Sequence, residues 1–155
     1  MKKAASYIKV DLERQKAAAR WAMKCAEHVL PLFEMKYPKD DRPRRALEAG
    51  RAWMQGKLRV GPVRKAVLSA HAAAREAEDL TAKAAARAAG HAAATAHVVT
   101  HAKGGGWYAI KAVAAAAKSD PAAAVEAELR WQRRRLPKRM SSGQLAAVSF
   151  RNPYP

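Results

Sequence analysis

Several residue types are scarce in this chain of 155 residues, and each scarcity excludes a class of protein. A single cysteine excludes a disulfide framework and any zinc or iron–sulfur site built from several cysteines. The sequence contains no run of about 18 apolar residues, so we expect no membrane-spanning helix. Acidic residues are also few, since 13 Asp and Glu stand against 30 Lys and Arg and leave a formal net charge of +17.

Alanine is abundant, whereas the residues that favour strands are rare. Half of the chain is apolar, yet Phe, Trp and Tyr together make up only 6% of it. Alanine is the best helix former, and aromatic and β-branched residues favour strands. We therefore predict an all-α fold, a compact single-domain helical bundle of five to seven helices over residues 1–136. An irregular basic tail is expected over residues 137–155.

The first residues argue against a secretion signal. Residues 1–3 form a positively charged start, but Lys9, Asp11 and Glu13 interrupt the apolar stretch that a signal peptide needs. We therefore expect a cytoplasmic protein that does not associate with membranes.

Start signals and apolar periodicity place the helices. Asp120-Pro121 combines a capping residue with a proline suited to a first turn, and Asp41 or a neighbour plays the same part before Pro43. Gly61-Pro62 opens a further helix. The predicted helices cover about residues 6–29, 43–55, 61–77 and 121–136, with others between Leu80 and Ser119. Pro31 should kink or restart the first helix, which then ends with a last turn or two over residues 32–35.

The span from Leu80 to Ser119 is rich in alanine and contains no acidic residue. Small side chains let helix axes approach closely, so we predict that this span lies at the centre of the bundle. Gly104-Gly105-Gly106 either divides the span into two helices or allows a close crossing inside one longer helix. A phosphate-binding role for these glycines has little support, because a P-loop needs Gly-Lys-Ser/Thr after a strand.

Histidines are the main candidates for chemistry. His97 and His101 are four residues apart, a spacing that would place both on one helix face, as in some zinc sites. The surrounding span offers no carboxylate ligand, so hydrogen-bonded imidazoles are favoured over a metal, and no cofactor is expected. A polar network, or an anion or proton-transfer site, could combine five residues of this region: His71, Arg75, His91, His97 and His101.

Cys25 lies on the apolar side of the first helix, beside Trp21, with His28 three residues further on. A nucleophilic thiol needs partial exposure and a lowered pKa, so a buried core thiol is favoured over a Cys–His pair. No catalytic residue is assigned, and we expect no enzymatic activity.

A dense basic block follows near the C-terminus. Its six bases are Arg130, Arg133, Arg134, Arg135, Lys138 and Arg139. They could contact nucleic acid or an acidic protein, and Trp131 within the block could stack on a base. Basic residues at the end of a helix also complement its dipole.

Five segments of the chain resemble bacterial all-α putative immunity proteins of polymorphic toxin systems. The resemblance spans about residues 20–117, and its segments are Trp21–Glu34, Asp41–Trp53, Ala70–Ala77, Ala89–His97 and His101–Ala112. It implies a cytoplasmic helical protein that binds and neutralises a cognate toxin. The charge of the chain favours a toxin with an acidic surface.

Three functions follow in order of preference. The first is a non-catalytic protein-binding module that neutralises a toxin. The alternative is a basic helical protein that binds nucleic acid, and non-specific nucleic-acid binding could accompany the first function as well. The third is a small-molecule or anion site built from the histidines.

Overall fold

Six α-helices make up the part of the chain that the structure describes. The structure is a computed structural model that describes the backbone of residues 2–138 and the side chains of residues 12–138. Over that range it contains no strand, which confirms the all-α prediction and the expected number of helices. The helices are α1 (Lys2–Glu34), α2 (Arg42–Met54), α3 (Val60–Glu76), α4 (Leu80–Ala94), α5 (His101–Ala116) and α6 (Pro121–Arg133).

Helix α4 is the centre of the bundle and packs against α1, α2, α3 and α5. Ten of its 15 residues are buried, and all ten are alanine or glycine. Because these side chains are small, the neighbouring helices approach α4 closely and bring their larger apolar residues, such as Trp21 and Leu47, into the same core. The α4 part of the carboxylate-free span therefore lies at the predicted centre, whereas residues 98–100 of the span are exposed.

Helix α1 begins earlier than predicted, at Lys2. It continues as one helix through Pro31 to Glu34, so the last turn predicted after Pro31 is present without a restart. Pro31 lies in the last turn, where the missing N–H removes only one helical hydrogen bond, and its carbonyl still accepts from the Met35 amide at 3.0 Å. Although α1 has 33 residues, no helix in the described range combines the length and apolar character needed to cross a membrane.

Aspartates begin three of the helices. Asp120 accepts a hydrogen bond from the Ala123 amide at 2.9 Å, as its position before Pro121 predicts. Asp79 caps α4 in the same way through the amide of Ala82. Before α2 the accepting side chain is Asp40, which receives the Arg42 amide at 3.1 Å.

The glycine triplet lies inside α5 and does not divide the central span. The chain leaves helix at residues 95–100, and α5 begins at His101. A Cβ added to Gly105 would lie 3.1 Å from the Cβ of Ala22, so α1 and α5 touch at this point. Of the two predicted alternatives, the close helix crossing is the one that the structure contains. The predicted tail from Pro137 onward falls outside the described residues beyond Lys138.

Candidate functional site

Four of the five histidines lie in one cluster where α3, α4 and α5 meet. Ring centroids are 5.1 Å apart for His71 and His91, 5.4 Å apart for His91 and His101, and 5.3 Å apart for His101 and His97. We call this series of rings, which runs from His71 through His91 and His101 to His97, the imidazole row. Its members come from three helices and the α4–α5 connection, so only the folded bundle assembles it.

Two hydrogen bonds restrict the protons of the imidazole row. Arg87 Nη1 lies 3.3 Å from His71 Nδ1, and since a guanidinium can only donate, this ring nitrogen accepts and the ring proton lies on Nε2. His91 Nδ1 and His101 Nδ1 are also 3.3 Å apart, so one of them donates and the other accepts. Each contact requires a neutral imidazole on its accepting side.

Burial and positive neighbours keep the rings of His71 and His91 uncharged near neutral pH. Burial, followed by the charges of two nearby arginines, lowers the pKa of His71 from 6.5 to about 4. Burial, followed by the neighbouring rings and Arg87, lowers the pKa of His91 from 6.5 to about 4. These rings therefore offer a binding partner hydrogen-bond donors and acceptors and carry no charge.

The prediction that His97 and His101 share one helix face is wrong. Helix α4 ends at Ala94, and His97 lies in the connection that leads to His101 at the start of α5. Burial, followed by the charges of His101 and Arg64, lowers the pKa of His97. Its Nδ1 is buried without a hydrogen-bond partner in the described part of the chain. The connection, and not helical spacing, brings the two rings together.

Two glycines create the space that the imidazole row occupies. A Cβ added to Gly90 would lie 2.6 Å from Cε1 of the His71 ring, and a Cβ added to Gly104 would overlap the ring of His91. Any side chain at either position would push an imidazole aside. The imidazole row therefore depends on glycine at one position of α4, facing α3, and at one position of α5, facing α4.

Helix α5 extends the imidazole row with an aromatic and a cationic side chain. The rings of His91 and Tyr108 are stacked, with centroids 5.0 Å apart and planes 19° apart. Lys111 Nζ lies 5.3 Å from the centroid of Tyr108 and 5.4 Å from that of Trp107. Imidazole, phenol and ammonium groups thus follow one another along this side of the bundle.

The structure brings together the four histidines of the predicted polar network. Arg75, the fifth predicted member, is exposed and influences His71 through its charge. The prediction missed Arg87, although it lies four residues before His91 and therefore on the same helix face. It also missed Tyr108, which shares a face with His101 only when the glycine triplet lies inside the helix.

The imidazole row does not have the ligand arrangement of a metal site in the described part of the chain. Among the described residues, no three His, Cys, Asp or Glu side chains are placed to hold a metal ion. A cleft of about 350 Å³ lies elsewhere, between α1 and α2, and is lined by Arg20, Arg51, Met54 and Gln55. The chemistry that the row offers is hydrogen bonding at a protein surface.

The predicted basic block lies at the end of α6 and beyond it. Arg130, Arg133 and Arg134 are exposed, as is Lys138. Arg139 lies outside the described residues. Together with the exposed Arg135, these bases form a positive surface around the end of α6, where Arg130 pairs with Glu126.

Trp131, within this block, has both ring faces occupied. The ring of His28 stacks on it with centroids 4.0 Å apart and planes 7° apart, and the Arg135 guanidinium carbon lies 3.8 Å from its centroid. Two groups so close to one ring must lie on opposite faces. A nucleic-acid base therefore has no free face of Trp131 on which to stack.

Cys25 and His28 do not form a nucleophilic pair. Burial, followed by the charge of Glu128, raises the pKa of the Cys25 thiol far above its ordinary range. His28 Nδ1 instead lies 2.9 Å from Glu128 Oε2. The thiol is part of the core, in agreement with the sequence-based interpretation.

Comparison with known proteins identifies a family. The family model described as Imm-5 like putative immunity protein matches residues 9–139. No curated protein and no solved structure matches the chain. The match includes all six helices apart from the first turns of α1, and it includes the whole imidazole row.

Proposed function

Because the chain belongs to the Imm-5 like putative immunity protein family, we propose that it binds a cognate bacterial toxin protein and neutralises it without catalysing a reaction. The observation that carries this proposal is the match over residues 9–139, which takes in nearly the whole bundle. The proposal keeps the cytoplasmic location that the sequence predicts.

The state of the reactive side chains supports a binding role. A general acid or base must change its protonation near the working pH, whereas burial keeps His71 and His91 neutral with pKa values of about 4. The Cys25 thiol is buried and its pKa is raised. No carboxylate from Leu80 to Ser119 is present to tune the histidines of that span.

The charge of the chain supports an acidic partner. A formal net charge of +17 attracts anionic surfaces and repels cationic ones, which speeds the encounter with an acidic toxin. Nucleic-acid binding is the alternative function, and the exposed arginines at the end of α6 favour it. The covered faces of Trp131 weigh against base stacking as part of such a function.

Co-expression with the toxin domain encoded in the adjacent open reading frame tests the proposal. We expect this chain to restore growth of a bacterial host that the toxin domain alone arrests, and to co-purify with the domain as a complex. An unrelated helical protein of the same net charge is the matched control and should not protect. Continued growth arrest in the presence of folded wild-type protein would overturn the proposal.

A further inference from the structure

The outer side of α3 carries four side chains in one stripe. Arg64, Leu68, His71 and Arg75 follow one another at spacings of four, three and four residues, which place them on one helix face. Leu68 is 68% exposed in the middle of this stripe. An exposed leucine between two arginines and a histidine is the first sign of a contact surface.

The α4–α5 connection adds two further exposed apolar side chains. Val98 is 42% exposed and Val99 is 45% exposed, and both lie between His97 and His101 in the chain. Helices α3 and α4 pack against each other and are joined only by residues 77–79, so they run antiparallel and the first half of α3 lies towards the Ala94 end of α4, where this connection begins. The charge of Arg64 on α3 accordingly acts on His97 of the connection. Leu68, one turn from Arg64, therefore lies on the same side of the bundle as the two valines.

Acidic side chains are concentrated away from this surface. Ion pairs join Glu27 and Glu34 of α1 to arginines of α2, while Glu76 pairs with Arg42. Asp79 pairs with Lys36, and Glu126 pairs with Arg130 within α6. The part of this surface that α4, α5 and their connection supply contains no acidic residue, since none occurs between Leu80 and Ser119, and Glu76 at the end of α3 pairs with Arg42 of α2.

We propose that this side of the bundle is the toxin-binding surface and that it receives a carboxylate-rich patch of the toxin. We define the histidine face by the following residues: Arg64, Leu68, His71, Arg75, Arg87, His91, His97, Val98, Val99, His101, Tyr108 and Lys111. This inference rests on the proposed function and specifies where the partner docks.

The composition of the histidine face fits a protein partner better than a nucleic acid. Protein interfaces combine an apolar and aromatic centre with a polar rim, and Leu68, Val99 and Tyr108 supply such a centre. Arginine is enriched at such interfaces and forms paired hydrogen bonds with carboxylates. The imidazole N–H groups add donors that suit carboxylate oxygens.

Charge-introducing variants at exposed positions test the inference while leaving the core intact. Leu68→Glu should weaken the affinity for the toxin domain by about 30-fold or more, because it places a carboxylate at the centre of an interface for an acidic surface. Arg64→Glu should weaken it by about tenfold. Isothermal titration calorimetry measures the dissociation constants, and thermal unfolding followed by circular dichroism checks that each variant folds.

Matched controls come from exposed positions in α1 and just after it, which do not belong to the histidine face. Met35→Glu replaces an apolar side chain that is 73% exposed, near the Asp79 end of α4, which is about 22 Å from its Ala94 end. Lys24→Glu reverses an exposed charge on α1. Both variants should bind the toxin domain within about threefold of wild type.

The outcomes separate this inference from the proposed function. If wild type neutralises the toxin domain and Leu68→Glu binds it as tightly as wild type, the docking surface is wrong and the proposed function stands. If wild type does not bind the toxin domain, both fall. If wild type binds a 20-base-pair DNA duplex through the histidine face but not the toxin domain, the face belongs to a nucleic-acid function and the inference is overturned.

Discussion

At the scale of single residues, the imidazoles of His71 and His91 make folding stability depend on pH. In the unfolded chain these rings take up a proton near pH 6.5, whereas in the folded protein they do so near pH 4. Between these values the unfolded state binds more protons, so the free energy of unfolding is retained above pH 6.5 and falls as the pH is lowered towards 4. We expect the free energy of unfolding to fall by about 1 kcal/mol per ring over this pH range. This is less than the difference in pKa would give alone, because water screens these partly exposed rings.

Urea unfolding at pH 7.5, 6.0 and 5.0 measures this loss. A variant with His71→Gln and His91→Gln should show a flatter dependence over the same range. The carboxyl groups of Asp40 and Glu76 have pKa values lowered by hydrogen bonds from Arg42, so their contribution is lost only at more acidic pH. An unchanged slope in the double variant would show that other groups cause the effect.

A second residue-scale prediction concerns the buried carboxylate of Glu128. It is 3% exposed and lies 2.9 Å from both His28 Nδ1 and Gln132 Nε2. Gln132 also donates to the Gly106 carbonyl, while Trp21 Nε1 donates to the carbonyl of Gln132. Glu128→Ala removes the acceptor from the middle of this network and should lower the free energy of unfolding by about 2–4 kcal/mol.

Glu126→Ala is the matched control on the same helix. Glu126 is exposed and pairs with Arg130 at 3.6 Å, an arrangement that contributes little in water. Its replacement should cost no more than about 0.5 kcal/mol. Urea unfolding at pH 7.5 compares the two variants, and equal costs would mean that the network does not hold α6 to α1 and α5.

At the scale of whole helices, features that depend on neighbouring residues were predictable from the sequence. The start of α6 follows from Asp120 and Pro121 alone, because a cap and a fixed φ act within one turn. The central position of α4 follows from its small alanine side chains, which let neighbouring helices approach closely, and from the absence of acidic residues. Both predictions needed no knowledge of the partner helices.

The boundary between α4 and α5 could not be predicted in the same way. Glycine is unfavourable in an isolated helix, so the glycine triplet was a reasonable place for a break. Inside the bundle, however, Gly104 adjoins the ring of His91 and Gly105 adjoins Ala22, and these contacts favour glycine within the helix. The imidazole row depends on the same contacts, so its histidines were predicted but its hydrogen bonds and Tyr108 were not.

Gly104→Ala tests this explanation at the level of the helix pair. The added Cβ would overlap the ring of His91, and we expect the free energy of unfolding to fall by about 1–3 kcal/mol despite the higher helix propensity of alanine. Gly61→Ala, near the start of α3, has no atom within 4 Å of the added Cβ and should leave stability unchanged or slightly higher. Combining Gly104→Ala with His91→Ala should relieve most of the penalty, and additive costs in this double-mutant cycle would contradict the explanation.

At the scale of the whole molecule, charge and packing divide the surface into two regions. Ion pairs join α1 and α2, and a buried carboxylate joins α1 and α6. The region around α3 and α5 contains the imidazole row and exposed apolar residues, and α5 carries no acidic residue. The molecule thus combines a net charge of +17 with one surface region whose composition is that of a protein–protein interface.

The net charge also predicts weak, non-specific binding to nucleic acid that is separate from toxin recognition. We expect affinity for a 20-base-pair DNA duplex at low salt, falling linearly on a logarithmic plot against salt concentration, as counterion release requires. Replacing Arg130, Arg133 and Arg134 by alanine should reduce that slope by about 2–3, since each phosphate contact contributes about 0.9.

The same triple variant should bind the toxin domain within about threefold of wild type, because these residues lie outside the histidine face. Fluorescence anisotropy across 50–300 mM salt measures the slope, and DNA binding that persists at the highest salt or depends on sequence would instead indicate a dedicated nucleic-acid function.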